Sequence, residues 1–360
     1  MNTFGKNIRV SLFGESHGEC LGVTIDGIPS NISIDENLIK ENLIKRQGNR
    51  QISTLRQEEN YYEIISGYFN NKTTGAPLTF LVKNKDINSS SYEYGVIRPS
   101  HSDYPTYIKH DGCNDYRGGG HTSGRLTVLL VIVGSICEQL LSKHNIKVYS
   151  HVSKIQNVVD EEIDDLTKIN KIQNFSSTSF MTSSQKETEA LELINKAKES
   201  NDSLPCMVET LVSGAKVGLG EPFFDSFESI LSHLLFSIPG LKGVHFGNLD
   251  MINLFGHEQI DELMYNNDGE VNILNNNQGG INGGLTNGGI IKFTSTFKAP
   301  VSINQPLKSI NLNTKENISI QTQGRHDPII GIRAIPVINA ITYWALLDLL
   351  IEANKYVTIR

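Results

Sequence analysis

Arg117-Gly118-Gly119-Gly120-His121-Thr122-Ser123-Gly124-Arg125 runs into Leu126, Leu129, Leu130, Val133, Ile136, Cys137, Leu140 and Leu141, apolar residues three and four apart. That stripe predicts a helix within residues 124–145. A glycine run ahead of a helix has two readings. It can cradle an anion, because free N–H groups and partial positive charge gather at a helix start and glycine admits close approach. It can equally be a tight turn. Arg117, His121 and Arg125 around it favour the cradle.

The arginines elsewhere point the same way. The 360-residue chain holds 22 Lys but only 10 Arg, and eight of the ten are clustered. Arg98 lies in Arg98-Pro99-Ser100-His101-Ser102-Asp103-Tyr104, Arg325 in Gly324-Arg325-His326-Asp327-Pro328 with Arg333 nearby, and Arg46, Arg50 and Arg56 form a further group. A planar guanidinium holds phosphate and carboxylate through two parallel hydrogen bonds, whereas lysine acts as a mobile point charge. These segments therefore read as parts of one anion site; ordinary ion pairs are the plainer alternative for any single arginine.

At 38% hydrophobic the chain can bury a substantial core, as one large domain or two ordinary ones. Its net charge of −7 argues against a broad nucleic-acid surface, which needs basic stripes. The four cysteines at 20, 113, 137 and 206 have neither zinc-ribbon nor disulfide-framework spacing, and are expected as reduced thiols. No leader-like apolar segment opens the chain and no apolar run near the ~20 residues of a membrane span is read, so a cytoplasmic protein is expected.

Residues 7–13, 22–27, 62–65 and 78–82 read as strands, Asp35 starts a helix, 185–200 is an amphipathic helix and 336–353 a core helix starting at Pro336. Residues 155–180 read as an exposed polar excursion. Residues 266–289 are rich in Asn and Gly, which on composition is a flexible linker between domains, with a ligand-wrapping loop as the rival.

Gly14-Glu15-Ser16-His17-Gly18 formally matches the nucleophile elbow of α/β-hydrolases, so a Ser–His hydrolase is one reading. A strand is expected after Ser16 rather than the helix an elbow requires. His17 and His101 are the stronger candidates for proton transfer. His144, His151, His233 and His257 read as structural or surface residues. Asp327 can be a base held ionised by its basic neighbours or an Asx turn. Walker A, G-x-G-x-x-G and metal-ligand spacings are absent. The residues alone lead to an enzyme acting on a phosphorylated or multiply anionic small molecule.

At these same residues the chain resembles the chorismate synthase family over essentially its full length, from Phe13-Gly14-Glu15-Ser16-His17-Gly18 to Gly324-Arg325-His326-Asp327-Pro328 and Arg333-Ala334-Ile335-Pro336-Val337. Intermediate matches include Gly218-Leu219-Gly220-Glu221-Pro222, Ser237-Ile238-Pro239 and Gly279-Gly280-Ile281-Asn282-Gly283-Gly284. The resemblance implies a single α+β domain over residues 1–360, with helices sandwiched between antiparallel β-sheets and the Asn/Gly-rich stretch serving as a flavin loop. It implies a carbon–oxygen lyase, the 1,4-anti elimination of phosphate from 5-enolpyruvylshikimate 3-phosphate to chorismate, with reduced FMN required but not consumed. It also implies a homotetramer, with NADPH or an external flavin reductase as source of reductant.

By the same resemblance His17 would protonate the leaving phosphate, His101 would sit by the flavin N1 side and Asp327 would relay a proton at N5. Ser16, Arg46, Arg50, Arg98, Arg125 and Arg325 would hold substrate. His121, Thr122, Ser123, Pro239, Gly240, Gly283, Lys298, Ala299, Pro300, Val301, Ser302 and Arg325 would bind FMN. His121 stands where the family more often has Arg, and Ser100 where it has Gly.

Overall fold

The protein is described by a computed structural model covering residues 1–47, 52, 61–85, 89–90, 92–163, 179–322 and 327–358. Arg50, Arg56, Arg325, His326 and residues 164–178 of the polar excursion lie outside the described residues. Five strands, β1 (Thr3–Phe4), β2 (Arg9–Gly14), β3 (Cys20–Asp26), β4 (Tyr62–Ser66) and β5 (Leu78–Lys83), form an antiparallel sheet in the order β1-β2-β3-β5-β4. Their apolar residues alternate, so one face is buried: Val10, Val23, Ile25, Leu78, Phe80 and Val82 are all inside. Register places Val10 opposite Ile25 and Val23 opposite Phe80.

A second antiparallel sheet has the order β9-β10-β8-β6-β7, from β6 (Lys147–Ile155), β7 (Val158–Val159), β8 (Cys206–Ser213), β9 (Leu241–Phe246) and β10 (Ile291–Phe297). The α-helices among the described residues are α1 (Glu36–Gln47), α2 (Asp103–Lys109), α3 (Thr127–Leu141), α4 (Ser184–Glu199), α5 (Phe227–Leu235) and α6 (Gly331–Thr358). Helix α3 touches β3 of the first sheet and packs along α6, which lies on β6 and β8 of the second. One buried cluster runs through both sheets and these helices, which is the expected α+β arrangement. Gly134 permits a close approach: a Cβ there would come within 2.1 Å of Ala340 Cα and 2.2 Å of its Cβ, so α3 meets α6 over a position with no side chain of its own.

Asp35 caps α1, its Oδ1 accepting from the N–H groups of Asn37 at 3.0 Å and Leu38 at 3.1 Å. Helix α6 begins five residues before the expected Pro336, which lies inside it. Helices Gly124–His144 and Gly331–Lys355 are long and apolar enough to cross a membrane, contrary to the sequence reading, but both are largely buried in this fold. The Asn/Gly-rich stretch is not a free linker. It forms two hairpins, Leu263–Tyr265 with Val271–Ile273 and Ile281–Asn282 with Leu285–Thr286. The Asp261 carboxylate accepts from the backbone N–H groups of Asn277 at 2.7 Å and Gln278 at 3.0 Å, fixing the chain between them. The polar excursion likewise has buried ends, with Val158, Phe180 and Met181 inside.

His151, read from the sequence as a structural or surface residue, is structural: it is buried between two carboxylates. Its Nδ1 is 2.9 Å from Asp160 Oδ2 and its Nε2 is 3.2 Å from Glu209 Oε1. Burial pushes its pKa down, but the hydrogen bonds to Asp160 and Glu209 outweigh this and raise it from the ordinary 6.5. Lys292 Nζ reaches Glu209 Oε2 at 3.2 Å and completes the network. A raised folded pKa means that the imidazolium stabilises fully below 6.5 and loses its contribution as pH rises through the folded value. His151→Gln is therefore expected to lose about 1–3 kcal/mol at pH 6 and less at pH 9. Denaturant unfolding at both values checks this; an unchanged gap would dismiss the imidazolium.

Candidate active site

A cavity of about 370 Å³ collects residues from six places in the chain: Arg46 from the end of α1, His101, Ser123-Gly124-Arg125 ahead of α3, Ile238-Pro239-Gly240 between α5 and β9, Pro300-Val301-Ser302 after β10, and Asp327 ahead of α6 with Arg333 in its first turn. A second cavity of about 1160 Å³ is lined by residues 1–4, His101, His121, Thr122, Ser123, His233, Lys298 and Trp344, among others. His101, Ser123, Thr127, Pro239, Gly240 and Val301 belong to both walls.

The arginines differ in how they are held. Arg46 is buried and donates to Thr127 Oγ1 at 2.9 Å and to the carbonyls of Gly124 at 2.8 Å and Arg125 at 3.3 Å, so it fixes the turn ahead of α3 as well as lining the cavity. Arg125, also buried, donates through Nε to Asn84 Oδ1 at 3.3 Å. Arg333 is paired with Asp327, so α6 supplies a positive charge beside that carboxylate. Arg98, expected at an anion, is already engaged within the protein. Its guanidinium is taken up by Asp103, at 2.7 Å from Nε to Oδ2 and 2.8 Å from Nη2 to Oδ1, and by the Gly118 carbonyl.

The triple glycine also differs from its reading. Gly120–Thr122 and Gly124–Leu126 form separate single turns before α3 begins at Thr127, so Ser123-Gly124-Arg125 lines the cavity and the glycines do not. Gly118 instead lies flush on His17. Its φ is +63°, and a Cβ would come within 2.5 Å of His17 Nδ1.

Ser16 and His17 occupy the turn between β2 and β3, a strand-to-strand connection that rules out a hydrolase elbow here. Both are buried, with Ser16 Oγ 3.1 Å from His17 Nδ1. The turn is held by Asn84, whose amide donates to the carbonyls of Glu15 at 3.1 Å and Gly18 at 2.9 Å while its oxygen accepts from Arg125. Neither Ser16 nor His17 lines either cavity. Tyr92 connects the two regions: its ring meets His17 edge-on at 5.3 Å and carries the Arg98 guanidinium 5.3 Å from its centroid. Asn84 and Tyr92 carry no sequence motif and were missed. Asp103 was visible, two residues beyond His101.

Of the residues expected at the flavin, His121, Thr122, Ser123, Pro239, Gly240, Lys298 and Val301 line the larger cavity, and Pro300 and Ser302 the smaller. Ala299 and Gly283 line neither. His121 Nδ1 donates to the Gly14 carbonyl at 2.8 Å and Nε2 lies 3.1 Å from Asn2 Oδ1, tying the N-terminal segment to the His17 turn. Burial, with Lys242 nearby, pushes the Lys298 ammonium below its usual value. Ser100 adopts φ +59°, the region glycine enters without strain, and so keeps the glycine conformation.

An arginine-lined cavity carrying a histidine and a carboxylate, beside a larger and partly apolar one, defines an enzyme for a multiply anionic small molecule. The family model for chorismate synthase matches residues 8–351, and the chain belongs to that family. Chorismate synthases of Dehalococcoides mccartyi and Methanocaldococcus jannaschii are 38% and 37% identical to it, each over 98% of this chain and 97% of the relative. A crystal structure of a chorismate synthase matches with TM-score 0.74 at 24% identity, over 97% of this chain and 93% of that one, and shows the same fold. The protein is thus a lyase of the shikimate route to aromatic amino acids.

Proposed function

We propose that this chain catalyses the 1,4-anti elimination of phosphate from 5-enolpyruvylshikimate 3-phosphate with reduced FMN as cofactor. The observation that carries the reading is the joining of the two cavities through His101, with Arg46, Arg125 and Arg333 around the smaller one. The larger cavity fits a flavin. Its volume of about 1160 Å³ accommodates the cofactor, and its lining combines apolar Leu126, Leu130 and Leu234 with donors from His121, Thr122, Ser123 and Lys298. Bound there, reduced FMN would supply electron density transiently to the substrate.

The protein's own groups do the rest. Arg125 and Arg333 hold carboxylate and phosphate oxygens, and Arg325, outside the described residues, is expected to join them, as is Arg50 in the basic segment. His17 lies outside both cavities, but the Asn84-held turn ties it to Arg125, and it is assigned delivery of a proton to the departing phosphate. His101 holds or releases a proton at Nε2, and the Asp327 carboxylate, fixed by Arg333, relays one on the wall of the smaller cavity. Exposed Phe223, Phe224, Ile252, Phe255 and Tyr265 support the homotetramer, since exposed apolar residues in such number mark association surfaces. A cytoplasmic setting, with NADPH or a separate reductase maintaining the flavin, fits this chemistry.

Anaerobic phosphate release is expected with reduced FMN and to vanish with oxidised FMN in air. Equal turnover under both conditions would refute the proposal.

A further inference from the structure

Asp103 is held between Arg98 and His101, 2.7 Å from Arg98 Nε and 2.6 Å from His101 Nδ1. We propose that Asp103, braced by Arg98, is a positioning residue that fixes the His101 ring with its proton on Nδ1 and its Nε2 toward the shared wall of the two cavities. The inference rests on the reading of His101 as a proton-transfer group.

Both carboxylate oxygens are fully engaged. Oδ1 lies 2.6 Å from His101 Nδ1 and accepts from Arg98 Nη2 at 2.8 Å. Oδ2 accepts from Arg98 Nε at 2.7 Å and from the Arg98 backbone N–H at 3.0 Å. Arg98 is itself fixed by the Gly118 carbonyl and the Tyr92 ring, so neither partner can rotate away without breaking several contacts. A ring nitrogen 2.6 Å from a carboxylate oxygen requires a proton between them. Burial raises the Asp103 pKa, but hydrogen bonds from His101 and Arg98 prevail and hold it well below the usual carboxylate range. The proton therefore belongs to Nδ1. Arg98 Nη2, 3.2 Å from the same nitrogen, has better acceptors in Oδ1 and the Gly118 carbonyl. With Nδ1 so occupied, the neutral ring offers an Nε2 lone pair, and His101 lines both cavities. An asparagine in place of Asp103 can donate to Nδ1 instead, which stabilises the opposite tautomer.

Other charges also bear on His101. Arg46, Arg125, Arg333 and Asp327 share its smaller cavity, while Lys298, which donates to the Ser100 carbonyl at 2.8 Å, and His121 and His233 share the larger. Asp103 is the carboxylate in contact with the ring, so its removal dominates the change in local charge.

The test is ¹⁵N NMR of the His101 ring in cofactor-free protein at one fixed pH, read as the tautomer. Wild type should show the proton on Nδ1 and a lone pair on Nε2. In Asp103→Asn the ring should shift toward the Nε2–H tautomer, and Asp103→Glu should return it toward wild type. Turnover of Asp103→Asn should fall by ~10²–10⁴ with KM within about threefold, and adding this change to His101→Ala should lower turnover no further. An unchanged tautomer in Asp103→Asn would overturn the proposal, as would a Glu variant matching the Asn variant. Wild-type turnover in His101→Ala would instead refute the role of His101, while the tautomer change would still support the positioning by Asp103.

Discussion

Turnover of His101→Ala is expected to lie ~10²–10⁴-fold below wild type, with His17→Ala in the same range, because each removes a positioned proton-transfer group. The two substitutions act at different places. His101 stands on the wall common to both cavities, whereas His17 lies outside that wall, buried against Gly118 and edge-on to Tyr92. His101→Ala should therefore disturb binding in the larger cavity as well as turnover, and His17→Ala should leave that binding intact. Steady-state kinetics beside a flavin titration separate these effects; near wild-type rates in both variants would remove the histidines from the mechanism. Ser16→Ala should retain measurable turnover, since that hydroxyl supplies one hydrogen bond near His17 rather than a nucleophile.

The strands of the first sheet and helix α3 were legible because each follows a period that its burial enforces: two residues for Val23 and Ile25, three and four for Leu126 to Leu141. Pairings across long separations were not. Asn84 acts on a turn 66 to 69 residues away, and His151 meets partners at 160 and 209 on other segments, so no local spacing encodes either contact. The glycine triplet misled because glycine permits close approach without saying to what; at Gly118 the neighbour is a histidine ring. The Asn/Gly-rich stretch misled for a related reason. Composition there is the same for a free linker and for turns whose N–H groups are taken up by Asp261. The separation between Asp103 and His101 was visible, but only the fold shows that Arg98 locks the carboxylate in place.

Asp348→Ala is expected to produce the largest loss of stability. This residue lies inside α6 and is buried, its Oδ1 accepting from the N–H groups of Asn7 at 2.6 Å and Ile8 at 2.7 Å and its Oδ2 from that of Lys6 at 3.1 Å. One turn earlier, Trp344 Nε1 donates to the Ile8 carbonyl at 2.9 Å, so a single helix face holds the chain between β1 and β2. Removing the carboxylate strands three N–H groups that had a charged acceptor, which costs about 3–5 kcal/mol and should lower the melting temperature by about 5–10 °C. Asp348→Asn, which keeps one oxygen, should lose less. The consequence reaches the site, because residues 1–4 and Trp344 line the larger cavity and His121 holds Asn2 beside it. A loosened N-terminal segment would open that wall, so the Ala variant should also bind FMN more weakly than its residual fold alone would suggest. Thermal unfolding with and without FMN measures both effects, and a melting temperature within about 1 °C of wild type would show that the three N–H groups find other acceptors.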